Sequence, residues 1–127
     1  MPIRTALAAV LTVAVALAGC ANPPGLTDLI ERPAERALLD GMRLYDDAQY
    51  PPAEAALRRA LDLGLASGRD RASAHKLLAF ITCTSERIAA CEQAFAAARA
   101  ADPDFALSRA EEGHPLWGPV YRRVLPR

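Results

Sequence analysis

Residues 47–61 read DAQYPPAEAALRRAL and residues 91–103 read CEQAFAAARAADP, and the spacing within these two stretches decides the fold. In the first, Gly41 is followed by Tyr50, Ala53, Leu57 and Ala60. In the second, Ala79 is followed by Ile88, Cys91, Phe95, Ala98 and Pro103. The two sets superpose on a shift of 38 residues, the mark of an internal repeat. Small residues at these intervals fit the close crossing of two antiparallel helices, and the large ones fit the groove between them.

Working outward, helices are expected over 34–47 (entered by Pro33), from Pro51-Pro52 to about 66, from Asp70 or Arg71 to about 83, and from a Thr84 or Ser85 cap to 101. Glu86 would lie in the first turn of the fourth helix, which Ala101-Asp102-Pro103 closes. Leu77, Leu78 and Ile81 give the third helix its apolar stripe; Ile88, Cys91 and Phe95 give the fourth its own. Ser108-x-x-Glu111 has capping-box spacing before a short helix. Gly113-His114-Pro115 breaks that helix, and Pro119 starts a last one through Val124.

The repeat resembles the tetratricopeptide (TPR) pattern of small, aromatic or aliphatic, and small residues. A shift of 38 instead of the usual 34 predicts a lengthened inter-repeat loop around 65–70, with Ser67-Gly68 at its turn. The expected fold is all-α: two TPR-like antiparallel hairpins plus short C-terminal capping helices. Two repeats are marginal alone, so the C-terminal segment is expected to close the open end. The TPR resemblance places Leu38, Met42, Tyr45, Lys76 and Phe80 on the concave helix-A face, where an exposed Tyr and Phe would form a shallow peptide groove.

The N-terminus addresses the compartment. Arg4 is followed by an apolar stretch too short to cross a bilayer, where about 20 residues are needed, and of the length of a signal-peptide core. It ends in Leu17-Ala18-Gly19-Cys20, which resembles a bacterial lipobox. That resemblance implies cleavage before Cys20 and a diacylglycerol on its thiol; an ordinary secretory signal with a chance cysteine is the alternative. Ala21 stands where inner-membrane lipoproteins of enterobacterial type carry Asp, so the resemblance implies the periplasmic face of the outer membrane. The resulting division is a signal peptide over 1–19, a lipidated cysteine and Pro-rich tether over 20–33, a repeat domain over 34–103 and a capping segment over 104–127. A tether of about 13 residues, at ~3.1 Å each in polyproline II, reaches roughly 40 Å from the lipid.

With Cys20 lipidated, Cys83 and Cys91 remain, an even pair in an oxidising compartment. Across a tight turn they lie within disulfide reach; two buried free thiols are the other reading. C-x7-C is not a usual structural-zinc spacing, so no metal is expected.

Composition narrows the function. The 127 residues carry 15 Lys+Arg and 15 Asp+Glu, with Lys76 the single lysine. Phosphate binding draws on clustered basic residues, so nucleic acid is an unsuitable partner. At 52% hydrophobic and 24% charged the chain is too apolar for disorder. No Gly-x-Ser-x-Gly, Walker loop or His-Glu-x-x-His occurs. His75 fits a packing position, and His114 a turn where it holds a neighbour's backbone. Asp46-Asp47, at a helix end, and Glu111-Glu112, on helix surface near a cap, both read as solvated surface. No enzyme, cofactor or small-molecule substrate is expected. The tail from Gly113 holds Trp117, Tyr121 and Arg122, residue types favoured at binding hot spots; it reads as a cap, a partner contact, or both.

Together the lipobox, one Ala-rich TPR-like domain, His75-Lys76-x-Leu78-Ala79-Phe80-Ile81, the internal cysteine pair and the run from Gly113 to Val120 (GHPLWGPV) resemble the TssQ-type lipoproteins associated with type VI secretion systems. The resemblance covers about 33–124. It implies an accessory envelope component that binds a protein of the secretion apparatus, and it transfers no residue-level function. A pilotin-like TPR lipoprotein that assists pilus or secretin assembly remains the alternative. A wall-associated sensor would need a polar, aromatic-lined cleft that two repeats hardly provide.

Overall fold

The computed structural model describes residues 32–126; the signal-peptide, lipobox and Cys20 readings, and the tether up to residue 31, lie outside the described residues. Six helices follow one another: α1 (Pro33–Asp46), α2 (Tyr50–Leu63), α3 (Gly68–Thr84), α4 (Ile88–Ala101), α5 (Arg109–Glu112) and α6 (Gly118–Val124). Helices α1 and α2 form one hairpin and α3 and α4 a second. The hairpins meet through α2 and α3, and α6 closes the far side against α4. The fold is all-α and TPR-like, with no strand among the described residues.

The 38-residue shift holds at the level of single hydrogen bonds. In the first hairpin turn the amides of Asp47, Ala48 and Gln49 donate to the carbonyls of Arg43, Tyr45 and Leu44. In the second, Ser85, Glu86 and Arg87 donate to Ile81, Cys83 and Thr82, each partner 38 positions on. Ala48 and Glu86, at φ 57° and 63°, are the non-glycine residues in the left-handed region among those described. Both hairpins therefore turn by one and the same device. The interior repeats as well: Ala53 and Cys91, Leu57 and Phe95, and Ala60 and Ala98 are all 0% exposed. Gly41 lets α1 approach α2, since a Cβ there would lie 2.8 Å from Leu57 Cδ2.

The expected long loop is shorter than its sequence suggests. Gly64, at φ +93°, ends α2 at Leu63 with a left-handed cap, its N–H reaching the carbonyls of Ala60 and Leu61. Ser67 then caps α3 by accepting from the Asp70 N–H at 3.3 Å. The extra residues go largely into α3, which has 17 residues against 14 in α1. Leu65 in the remaining linker is buried, and its carbonyl accepts from Arg71 Nη1 at 2.8 Å.

Thr84 and Ser85 do not cap α4. Their hydroxyls turn back and donate to the carbonyls of Phe80 and Ile81 at 2.8 and 2.7 Å, finishing α3. Glu86 lies in the left-handed turn, and α4 opens at Ile88. Ile88 is 41% exposed, like Tyr50 at the matching position at 43%, so it lies at the helix mouth outside the core. Farther on, Ser108 and Glu111 form the expected capping box, and α6 opens at Gly118, one residue before Pro119.

Candidate interaction surface

Cys83 and Cys91 pair at disulfide distance across the α3–α4 turn, with Cα atoms 5.1 Å apart. Both are buried. The bond ties the ends of the second hairpin just below its left-handed turn. In the first hairpin the same two positions hold Tyr45 and Ala53.

The concave helix-A face is already occupied over the second hairpin. Phe80 is 4% exposed, not the open ring expected of a peptide groove. Trp117 stacks on it at 4.1 Å between centroids, and His114 stacks on the outer face of Trp117 at 3.3 Å. The indole N–H of Trp117 donates to the Glu111 carbonyl at 2.7 Å, and the Leu116 amide donates to His114 Nδ1. Lys76 Nζ reaches Glu111 Oε1 at 2.7 Å and so fastens the tail to α3. Partial burial draws the Glu111 carboxyl upward. The Lys76 ammonium and the Ser108 amide and hydroxyl together outweigh it and hold Glu111 below its usual range.

Tyr121, expected on a binding surface, is buried at 7% exposure between Phe95 and Phe105, and its hydroxyl accepts from the Leu107 N–H at 3.2 Å. Arg122 is exposed and donates to the Glu112 carbonyl at 2.9 Å, and Arg123 pairs with Glu92 on α4. The tail therefore acts as a cap. A Cβ on Gly118 would lie 2.2 Å from the Glu112 carbonyl oxygen, so the chain has room only for glycine where α6 crosses α5.

What remains open lies over the first hairpin. Met42 is 40% exposed, at the position where the second hairpin has Phe80. Tyr45 is half-buried, 5.5 Å from the Tyr50 ring and 6.4 Å from Phe80. Burial raises the Tyr45 hydroxyl above its ordinary pKa, with Tyr50, Asp46 and Glu111 adding to it. The ring contacts thus run from Tyr50 through Tyr45, Phe80 and Trp117 to His114, and from Phe80 through Phe95 and Tyr121 to Phe105. All seven Phe, Tyr and Trp residues of the chain belong to this one chain of contacts.

One constellation escaped the sequence. Glu54 on α2 accepts from Arg87 Nη2 and Nη1 at 2.7 and 2.9 Å, and from Arg58 Nη2 at 2.8 Å. The Arg87 hydrogen bond is the main cause that pulls the Glu54 carboxyl down to about 2; burial opposes it and Arg58 adds to it. The Glu54–Arg58 half is readable from its i, i+4 spacing. Arg87 is 33 residues away and becomes visible only when the hairpins dock. His75 sits in the cleft between α2 and α3, its imidazole pKa lowered by burial and by Arg58 and Arg71. Asp47 and Asp40 both pair with Arg43 on the surface of α1. Among the described residues no three His, Cys, Asp or Glu side chains converge on a metal position, and no helix is long and apolar enough to cross a membrane.

Comparison of the chain with protein families, with curated proteins and with solved structures returns no match.

Proposed function

We propose that the protein is a non-enzymatic, lipid-anchored adaptor on the periplasmic face of the outer membrane. It serves a type VI secretion system by binding one of its protein components through the two-hairpin domain. The observation that carries this reading is the TPR-like pair of hairpins, which leaves Met42, Tyr45 and Tyr50 accessible beside a tail that seals the other half of the concave face. Aromatic and sulfur side chains set on a rigid helical frame suit protein contacts. Leu17-Ala18-Gly19-Cys20 supports the anchor, and the resemblance of 33–124 to TssQ-type lipoproteins supports the assignment to a secretion machine. In this reading the lipid on Cys20 is the sole covalent addition, and neither nucleic acid nor a small-molecule substrate takes part.

The test is a deletion strain complemented with wild type or with Cys20→Ser. Loss of type VI-dependent killing with normal pili, restored by wild type alone, is the expected result. Normal killing in the deletion strain would sink the proposal. Normal killing with lost pili or unassembled secretin would move the protein to the pilotin-like alternative.

A further inference from the structure

The outer side of the first hairpin carries a groove of about 550 Å³ between α1 and α2. Its floor is formed by Ala37, Leu44, Ala55 and Ala56, with Arg36 and Arg59 on its rim. Shifted by 38, the floor positions become His75, Thr82, Gln93 and Ala94, which line a cleft in the second hairpin. There the cleft is roofed by α2, whose Arg58 and Leu61 form its other wall and leave about 220 Å³. The repeat thus shows what such a groove receives: a helix laid along it, presenting an aliphatic and a charged side chain three residues apart. In the first hairpin the same groove has no roof among the described residues.

The rim names the charge of the occupant. Where the second hairpin has Ala74 and Ala97, the first has Arg36 and Arg59, and neither guanidinium has an ion pair among the described residues. Asp40, at the same edge, is taken up by Arg43 at 2.6 Å. Two free arginines flanking an alanine and leucine floor complement acidic residues on either side of an aliphatic stripe.

We infer that the α1–α2 groove docks an amphipathic helix of a partner protein, with aliphatic residues on the floor and carboxylates against Arg36 and Arg59. This rests on the reading of the protein as an adaptor and adds a surface separate from the Met42, Tyr45 and Tyr50 face, with the chemistry of its partner.

The experiment places a photoreactive phenylalanine at Ala55 in the full chain, in cells, and maps the cross-linked partner residue by mass spectrometry. The expected result is a cross-link to an acid-flanked aliphatic helix of another protein. Its yield should fall about tenfold with Arg36→Glu plus Arg59→Glu and survive Arg36→Lys plus Arg59→Lys. A cross-link into residues 21–31 of the same chain, or into a second copy, overturns the inference, as does a yield indifferent to charge reversal. The same probe at Met42, on another face of α1, separates the two levels. Capture at Met42 without capture at Ala55 overturns the groove inference and leaves the adaptor standing; silence at both sites defeats both.

Discussion

The two hairpins share one backbone and differ in what holds them. In the second, a disulfide joins Cys83 and Cys91, Phe95 fills the crossing, and the tail covers Phe80. In the first, Tyr45 and Ala53 stand at the disulfide positions, Leu57 fills the crossing against Gly41, and Met42 is left bare. The face that α2 covers in the second hairpin is open in the first, and its residues differ accordingly. Ala74, Leu78 and Ala97 of the second hairpin become Arg36, Asp40 and Arg59 in the first, an apolar edge exchanged for a charged one. A repeat backbone does not require equal fastening: the second hairpin, clamped on both sides, serves as the anchor, and the first presents surface. The C-terminal segment extends the logic. Glu54 of α2 reaches forward to Arg87 of the next hairpin, and Glu92, 38 positions on, reaches forward to Arg123 of α6. By this measure the tail stands in for a third repeat.

The sharpest way to break the comparison is through the crossing residues. Phe95→Ala should cost about 3–5 kcal/mol and Leu57→Ala about 2–4, read by denaturant unfolding. Phe95 also supports Phe80 and Tyr121, at 6.3 and 5.3 Å between centroids, so its loss should unseat the tail as well. Equal costs at the two sites would contradict an anchoring role for the second hairpin.

Next comes the disulfide. Its removal by Cys83→Ser with Cys91→Ser should cost about 2–3 kcal/mol, seen as a lower unfolding midpoint that no longer responds to reductant. The converse is more telling. Since the turn hydrogen bonds match pair by pair, Tyr45→Cys with Ala53→Cys should close a second disulfide in the first hairpin. Protection of both new thiols from alkylation would show it; free thiols would mean that the two turns are not equivalent.

The smallest effect concerns the joint between the hairpins. Glu54 has its folded pKa lowered to about 2, so between that value and its unfolded pKa near 4.3 the unfolded chain holds the extra proton. The contribution of Glu54 is complete above the unfolded pKa and is lost as pH falls through the folded one. Half-exposed arginine partners limit it to about 1 kcal/mol. Unfolding measured from pH 6 to pH 2 should lose this increment, and Glu54→Gln should flatten that part of the profile.

Much of this fold was legible in residue sizes. The shift of 38 located both hairpins because the crossing demands small residues at 53, 60, 91 and 98, and Ser108 with Glu111 announced its own cap. Local chemistry misled where a side chain had two uses. Thr84 and Ser85 are good N-caps, yet each sits within reach of a carbonyl one turn behind and finishes α3 instead. Gly64 was the overlooked stop signal, and its left-handed turn ends α2 at Leu63, three positions before the expected 66. The surface was harder to read. TPR positions pointed to Phe80 as an exposed ring, but nothing in the spacing of a helix tells that Trp117, 37 residues on, will lie over it. Tyr121 likewise carries the composition of a binding residue and the burial of a core one. The Glu54–Arg87 bond and the groove rimmed by Arg36 and Arg59 depend on helices meeting, which single-helix patterns do not encode.

Trp117 is the chain's one tryptophan, held between Phe80 and His114 with its N–H on a carbonyl. Its emission therefore belongs to the seam between tail and repeat and to no other part of the molecule. Far-ultraviolet dichroism, by contrast, is dominated by the four long helices. Two optical signals, recorded on one unlabelled sample, thus distinguish a tail that lifts away from hairpins that melt. The order of those events can be read directly, because the protein carries its own reporter.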